Sequence, residues 1–376
     1  MRLLVLTELF LPTKGGTAIW AAEVYKRLGG KEIHIVTADV PGAAEIDVAH
    51  PNTIHRLDLK RVPWLRPESL GMYVKLFGTS LALALAHRFD AIHAFRALPE
   101  GLVAWVVARL TFRPVVVYAH GEELTTWGRG IKYQAMCFAL RHADIVIANS
   151  EHTRDTLLGM GVDPVRVTII YPGVDVSVFR PGLDGSVLRE SLGISPDDKL
   201  ILSVGRLSRR KGFDQVLRAV VQLRAKGIPA CYAMAGIGED EGYLDRLIQE
   251  LGLQKLVHRL GPVAAEDLPR WMNACDVFAM PNREINGDNE GFGMVFIEAA
   301  ACAKPVLSGR AGGTGAAVVD GVTGVRVDGE DVDAITRGLQ CLLADNAVSQ
   351  AMGESGLKRV RAEFSWERVA EKTRDI

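Results

Sequence analysis

Long apolar runs are missing from this chain of 376 residues. A helix crossing a bilayer needs roughly 20 apolar residues in succession, and the richest stretch, Leu81-Ala82-Leu83-Ala84-Leu85-Ala86, falls far short. The apolar residues after Arg2 are interrupted by Glu8 and Pro12, which reads as a first strand rather than a signal peptide. The expected location is therefore the cytoplasm, with any membrane contact peripheral, on the inner face of the cytoplasmic membrane. Cysteine is sparse: Cys137, Cys231, Cys275, Cys302 and Cys341 form no close pair and no metal-like spacing with histidine. That pattern argues against a disulfide framework or a structural zinc, and for small buried thiols in a reducing compartment. A basic excess is also lacking, since the formal net charge is −1, so nothing global points to nucleic acid.

What is present is the composition of an ordinary soluble protein, 48% hydrophobic and 24% charged, on a chain longer than one core usually supports. Short β-branched runs alternate with helical patterns throughout, the mark of doubly wound α/β domains. The first half offers strands at 3–7, 33–37, 91–94, 115–118, 145–148 and 167–170. The second offers 200–204, 231–235, 257–260, 277–280, 305–308 and 324–327, with helices such as 213–226 and 241–251 between them. Two Pro/Gly turns within 171–182 make a hinge. The expected domains are 1–176, 177–363, and a terminal helix, 364–376.

Four segments carry chemistry. In Glu290-Gly291-Phe292-Gly293-Met294-Val295-Phe296-Ile297-Glu298 a glycine-flanked loop runs into an apolar helix. Glu290 stands in the loop, within reach of a sugar. Glu298 lies on the helix, where it can accept from ribose hydroxyls, and the free N–H groups near Gly293, Met294 and Val295 favour an anion. A surface helix with two solvated glutamates is the competing reading. In Gly205-Arg206-Leu207-Ser208-Arg209-Arg210-Lys211-Gly212 a strand gives way to a helix. Arg206 and Lys211, bracketed by glycines at a strand end, are assigned to phosphate. Arg209 and Arg210 are assigned to a solvated basic turn. Near the start, Gly15 and Gly16 permit close approach of backbone to ligand. His120 follows a strand and precedes Gly121-Glu122-Glu123, a position suited to a sugar hydroxyl or to acid–base work. Glu122 and Glu123 read as a solvated loop and Ser150 as a helix cap.

Taken jointly, Gly15-Gly16, His120-Gly121, Arg206 with Lys211, and Glu290 with Glu298 resemble the family 4 retaining glycosyltransferases over essentially the whole chain. A narrower likeness is to bacterial phosphatidylinositol mannosyltransferases. The resemblance implies the GT-B fold: two Rossmann-like domains facing across a cleft, with a C-terminal helix crossing back to the N-terminal domain. It further implies a GDP- or UDP-linked sugar donor, no cofactor, no metal, and a base pocket near Val263. His120, Arg206, Lys211 and Glu290 are the catalytic candidates. Gly15, Gly16, Val263, Phe292, Gly293, Met294, Val295 and Glu298 are the donor-binding ones. The acceptor would be lipid-linked or a saccharide, and the leaving phosphate would help deprotonate it.

Two departures stand out. Ala264 and Ala265 follow Val263 where some GDP-mannose-using relatives carry a carboxylate, and Gly312-Gly313-Thr314-Gly315-Ala316 replaces the common Gly-Gly-x-Pro-Glu. Basic residues interleaved with tryptophan (Arg56, Lys60, Arg61, Trp64, Arg66) suit an anionic lipid surface, or else form a solvated loop. A nucleotide-sugar 2-epimerase and a non-catalytic sugar-nucleotide-binding subunit remain as alternative functions.

Overall fold

The computed structural model describes residues 1–13, 15–61, 68–126 and 130–376. They divide into two compact units, Met1–Pro172 with Trp366–Ile376, and Gly173–Ser365.

The first unit is built on a parallel sheet of β1 (Leu3–Leu6), β2 (Ile33–Ala38), β3 (Thr53–Leu57), β4 (Ala91–Ala94), β5 (Val115–Ala119), β6 (Ile145–Ala148) and β7 (Val167–Ile169). Their order is β3-β2-β1-β4-β5-β6-β7. Helices cover both faces, so the central strands read as unbroken apolar runs. Leu3-Leu4-Val5-Leu6 and Val115-Val116-Val117-Tyr118-Ala119 are buried throughout. The order reverses between β1 and β4, which places the switch point of the sheet there.

Strand β3 is absent from the sequence reading. As an edge strand it is half-exposed along its whole length and carries His55 and Arg56, so it lacks the apolar signature of the interior strands. Arg56 is correspondingly not a lipid-surface residue. Its guanidinium pairs with Asp47 at 2.6 Å and donates to the carbonyls of Leu11 at 2.7 Å and Ala38 at 2.9 Å. Lys60 and Arg61 are exposed; Trp64 and Arg66 lie outside the described residues.

The terminal helix Trp366–Arg374 belongs to the first unit, burying Trp366, Val369, Ala370 and Thr373. Glu367 on it accepts from Arg27 at 2.8 Å, which lies on the helix Gly16–Leu28.

The second unit repeats the plan with β8 (Lys199–Val204), β9 (Ala230–Ala235), β10 (Val257–Gly261), β11 (Val277–Met280), β12 (Val306–Gly309) and β13 (Gly324–Val327). These are all parallel, in the order β10-β9-β8-β11-β12-β13, with the switch point between β8 and β11. Phe213, Val216, Leu217 and Val220 of the helix Phe213–Ala225 pack with Ile201, Tyr232 and Leu339 in its core. Four cysteines are buried as expected, but Cys341 is exposed, on the outer side of the helix Val332–Ala344. Among the described residues no helix is long and apolar enough to cross a membrane.

Candidate functional site

At the switch point of the second unit, the segments leaving β8 and β11 converge on one carboxylate. Glu290 accepts from the Lys211 ammonium and, at 3.2 Å, from Arg210. The side chains of Arg210, Lys211 and Glu290 retain only 7%, 12% and 13% of their exposure. Burial alone would raise the Glu290 pKa, but the two cations outweigh it and hold the carboxyl below its ordinary value. Arg210 is thus no solvated turn residue: it is buried, and it also pairs with Asp288 at 3.0 Å. Its neighbour Arg209 does face outward, lying over the Tyr243 ring at 3.3 Å and beside Asp240 at 3.3 Å. Arg206, at the end of β8, is exposed.

The main chain of Glu290 is fixed as firmly as its side chain. Gly313 donates its N–H to the Glu290 carbonyl at 2.7 Å. Gly312 makes this approach possible: it has φ 68°, and a Cβ there would sit 2.1 Å from that same carbonyl oxygen. The glycine pair therefore holds the loop although Gly315-Ala316 replaces Pro-Glu.

Three residues on, Gly293 turns the chain into the helix Met294–Ala301 with φ 87°, where a side chain would strike the Phe296 ring at 2.5 Å. Met294 and Val295 are half-exposed at the helix start, whose first N–H groups lack intrahelical acceptors. Phe292 presents only its main chain, because its ring is buried edge-on against Phe364 at 5.8 Å. On the same helix Glu298 is buried, with Oε2 lacking a hydrogen-bond partner. Burial pushes its pKa up to about 7. A buried carboxyl oxygen without a donor suits a ligand hydroxyl. Val263 lies half-buried in the segment after β10.

In the first unit, Gly15 and Gly16 are exposed at the start of the helix Gly16–Leu28. His120 follows β5 and is held on three sides. Its ring Nε2 lies 2.6 Å from the Phe95 carbonyl, its N–H donates to Glu123 at 2.8 Å, and its carbonyl accepts from Asn149 at 2.7 Å. A carbonyl only accepts, so Nε2 carries the proton and Nδ1 keeps a lone pair. Burial lowers the His120 pKa and favours this neutral form. Glu123 is buried in that service rather than solvated. Ser150 caps its helix through Thr153 N–H at 3.2 Å.

Sequence reading missed Arg96 and Glu100, just beyond β4. Glu100 is fully buried, accepts from Glu8 N–H at 2.7 Å, and has its other oxygen unpartnered. Two charges in the apolar stretch after a strand were the available signal. Among the described residues, no group of three or more His, Cys, Asp or Glu side chains is placed to hold a metal ion.

Two family models together cover most of the chain. Residues 14–178 match the family described as Glycosyltransferase Family 4, and residues 186–359 match Glycosyl transferases group 1. The chain is 30% identical over 370 residues to a GDP-mannose-dependent alpha-(1-6)-phosphatidylinositol monomannoside mannosyltransferase of Mycolicibacterium smegmatis, covering 97% of this chain and 95% of the relative. It is 33% identical to a D-inositol 3-phosphate glycosyltransferase of Corynebacterium diphtheriae, over 77% of this chain and 70% of that one. Among solved structures, Anabaena HepE in complex with UDP and glucose superposes with a TM-score of 0.82 at 22% identity, covering 100% of this chain and 98% of that one. Sucrose-phosphate synthase from Thermosynechococcus elongatus gives 0.81 at 24% identity, over 99% and 97%. The chain belongs to glycosyltransferase family 4 and has the GT-B fold.

Proposed function

We propose that the protein transfers a hexose of mannose or glucose type, with retention of configuration, from a GDP- or UDP-linked donor to a lipid-linked or saccharide acceptor. The observations that carry this reading are the buried cluster of Lys211, Arg210 and Glu290 at the carboxyl ends of β8 and β11, and the unpartnered Glu298 carboxyl oxygen on the helix that follows. Lys211 and Arg206 supply positive charge for the donor diphosphate, and the amides at the start of the helix Met294–Ala301 add to it. Negative charge grows on the leaving diphosphate during transfer, so cations already in place stabilise the transition state more than the ground state. In this reading those fixed charges take the part of a metal. Glu290 fixes the sugar through its hydroxyls, Glu298 accepts from the ribose, and Val263 lies by the base. His120 offers the Nδ1 lone pair to a sugar hydroxyl, and Gly15-Gly16 lets the backbone close on the donor. The leaving phosphate oxygen takes the proton of the acceptor hydroxyl.

The mannosyltransferase and inositol phosphate glycosyltransferase relatives support a polyol acceptor, free or lipid-borne. The matched families are transferases, which favours transfer over 2-epimerisation. The proposed setting is the cytoplasm, with peripheral contact to an anionic membrane through Lys60, Arg61, Trp64 and Arg66. Incubation with GDP-mannose or UDP-glucose in EDTA, followed by proton NMR of the new anomeric centre, tests it. An α-linked product from the α-linked donor supports the reading. An inverted product, or transfer only when divalent metal is restored, opposes it.

A further inference from the structure

The segment that leads to Gly15 and Gly16 is braced from the edge of the first sheet. After β1 the chain runs through Glu8-Leu9-Phe10-Leu11-Pro12-Thr13, turning so that the Thr13 N–H donates to the Phe10 carbonyl at 3.0 Å. Its near end is tied down where the Glu8 N–H donates to Glu100 at 2.7 Å and the Thr7 hydroxyl donates to the Leu9 carbonyl at 2.7 Å. In the turn itself, four positions before Gly15, the Leu11 carbonyl accepts from Arg56 at 2.7 Å.

Arg56 lies on the edge strand β3, where a cation is free to face water. Its side chain instead keeps only 12% of its exposure, and all three guanidinium nitrogens are committed. Nε and Nη2 donate to the Asp47 carboxylate at 3.0 and 2.6 Å, Nη1 to the Ala38 carbonyl at 2.9 Å, and Nη2 also to Leu11. The guanidinium carbon lies 5.7 Å from the centre of the buried Phe10 ring. Asp47 alone would neutralise the charge. What the planar fork adds is a fixed spacing between the end of β2, the helix Ala43–Ala49 and the turn. We propose that Arg56 is a positioning residue for the sugar donor, holding the turn Phe10–Thr13 so that the Gly15-Gly16 backbone meets it. This rests on the transferase reading above. Such a brace matters because a displacement of about 1 Å costs on the order of 100-fold in rate, and supporting hydrogen bonds are what prevent it.

The test uses the full chain as wild type, Arg56→Lys and Arg56→Ala. Lysine keeps a charge for Asp47 but, as a point charge, cannot hold Asp47, Ala38 and Leu11 together. Circular dichroism melts fix an assay temperature at which each variant is folded. Calorimetry then compares GDP-mannose and UDP-glucose with bare GDP and UDP, and hydrolysis of the sugar conjugates gives kcat and KM. In Arg56→Lys, kcat/KM for the conjugate is expected to fall roughly tenfold or more. Bare nucleotide should bind as it does to wild type, since Lys211 and Glu298 belong to the other unit. Arg56→Ala should lose more, and added guanidinium at non-denaturing concentration should restore part of its rate while leaving wild type unchanged. The proposal is overturned if folded Arg56→Lys turns over the conjugate at the wild-type rate, or if both variants lose only melting temperature. An equal loss of bare-nucleotide binding would overturn it as well. Wild type that binds the conjugates without turning them over would count against the transferase reading alone; a weakened hold of Arg56→Lys on the conjugate, with bare nucleotide unaffected, would still uphold the brace.

Discussion

Lys211 donates to the Glu290 carboxylate across 79 positions of sequence, and both side chains are shielded from water. The pair joins the two segments at the switch point of the second sheet, so removing Glu290 strips Lys211 of its counter-charge, while removing Lys211 leaves Glu290 with Arg210 alone. Lys211→Ala and Glu290→Ala should each lower kcat by orders of magnitude. Losing one member of a buried pair costs about 3–5 kcal/mol, and the retained Arg210–Glu290 contact puts Lys211→Ala at the low end. Steady-state rates and denaturant melts check this, and a near-normal rate in either variant removes that residue from the site.

Arg210 and Arg209 are adjacent but physically unlike. Arg210→Ala strips Asp288 and Glu290 of a buried counter-charge, and a loss of about 3 kcal/mol or more is expected. Arg209→Ala removes an exposed pair and a ring contact, with an expected effect of about 1 kcal/mol. Urea unfolding of the two variants side by side decides it. Equal losses would mean that Arg210 is no more integral than its neighbour.

Gly312→Ala should separate geometry from stability. The added Cβ would meet the Glu290 carbonyl at 2.1 Å, so the loop must move. Turnover should fall more than tenfold while donor affinity falls less, since a small misplacement of a catalytic group costs on the order of 100-fold in rate. Wild-type kinetics in this variant would show that the exact placement of Glu290 is immaterial.

Glu298 predicts a pH signature. Its folded pKa of about 7 lies above the ordinary 4.5, so stability is full below the ordinary value and is lost as pH rises through the folded one. Glu298→Gln should therefore match wild type near pH 4 and exceed it at pH 8. Ribose hydroxyls are best accepted by the ionised form, so nucleotide affinity in wild type should rise with pH through about 7, and the glutamine variant should lose that dependence. Calorimetry across pH measures both. A flat affinity profile in wild type would place the ribose elsewhere.

Lys60→Glu and Arg61→Glu combined with Trp64→Ala should reduce sedimentation with anionic liposomes, each cation contributing about 1 kcal/mol near such a surface. Unchanged binding would refute the proposed membrane contact at this loop.

The alternation of apolar strands and helices made the two-sheet plan legible, because interior parallel strands such as β1 and β5 are buried on both faces. Strand β3 escaped for the opposite reason: an edge needs less apolar content, and its Arg56 resembled a surface cation until its partners Asp47, Leu11 and Ala38 were seen. Arg210 shows the same limit. Three basic residues in a row give no local sign of which one turns inward; only Asp288 and Glu290, some 80 positions away, determine that. Local motifs marked Lys211, Glu290 and Glu298. Arg96 and Glu100 carry no motif, and their setting exists only once β1, β4 and β5 lie side by side.

The most direct test of the central claim is a thermal-shift panel of UDP, GDP, ADP and their sugar conjugates, run with EDTA on wild type and Lys211→Ala. Stabilisation by one nucleotide family in EDTA, lost or much reduced in the variant, is the predicted result. No stabilisation of wild type by any nucleotide, or equal stabilisation of the variant, would contradict a donor site built on Lys211 and Glu290.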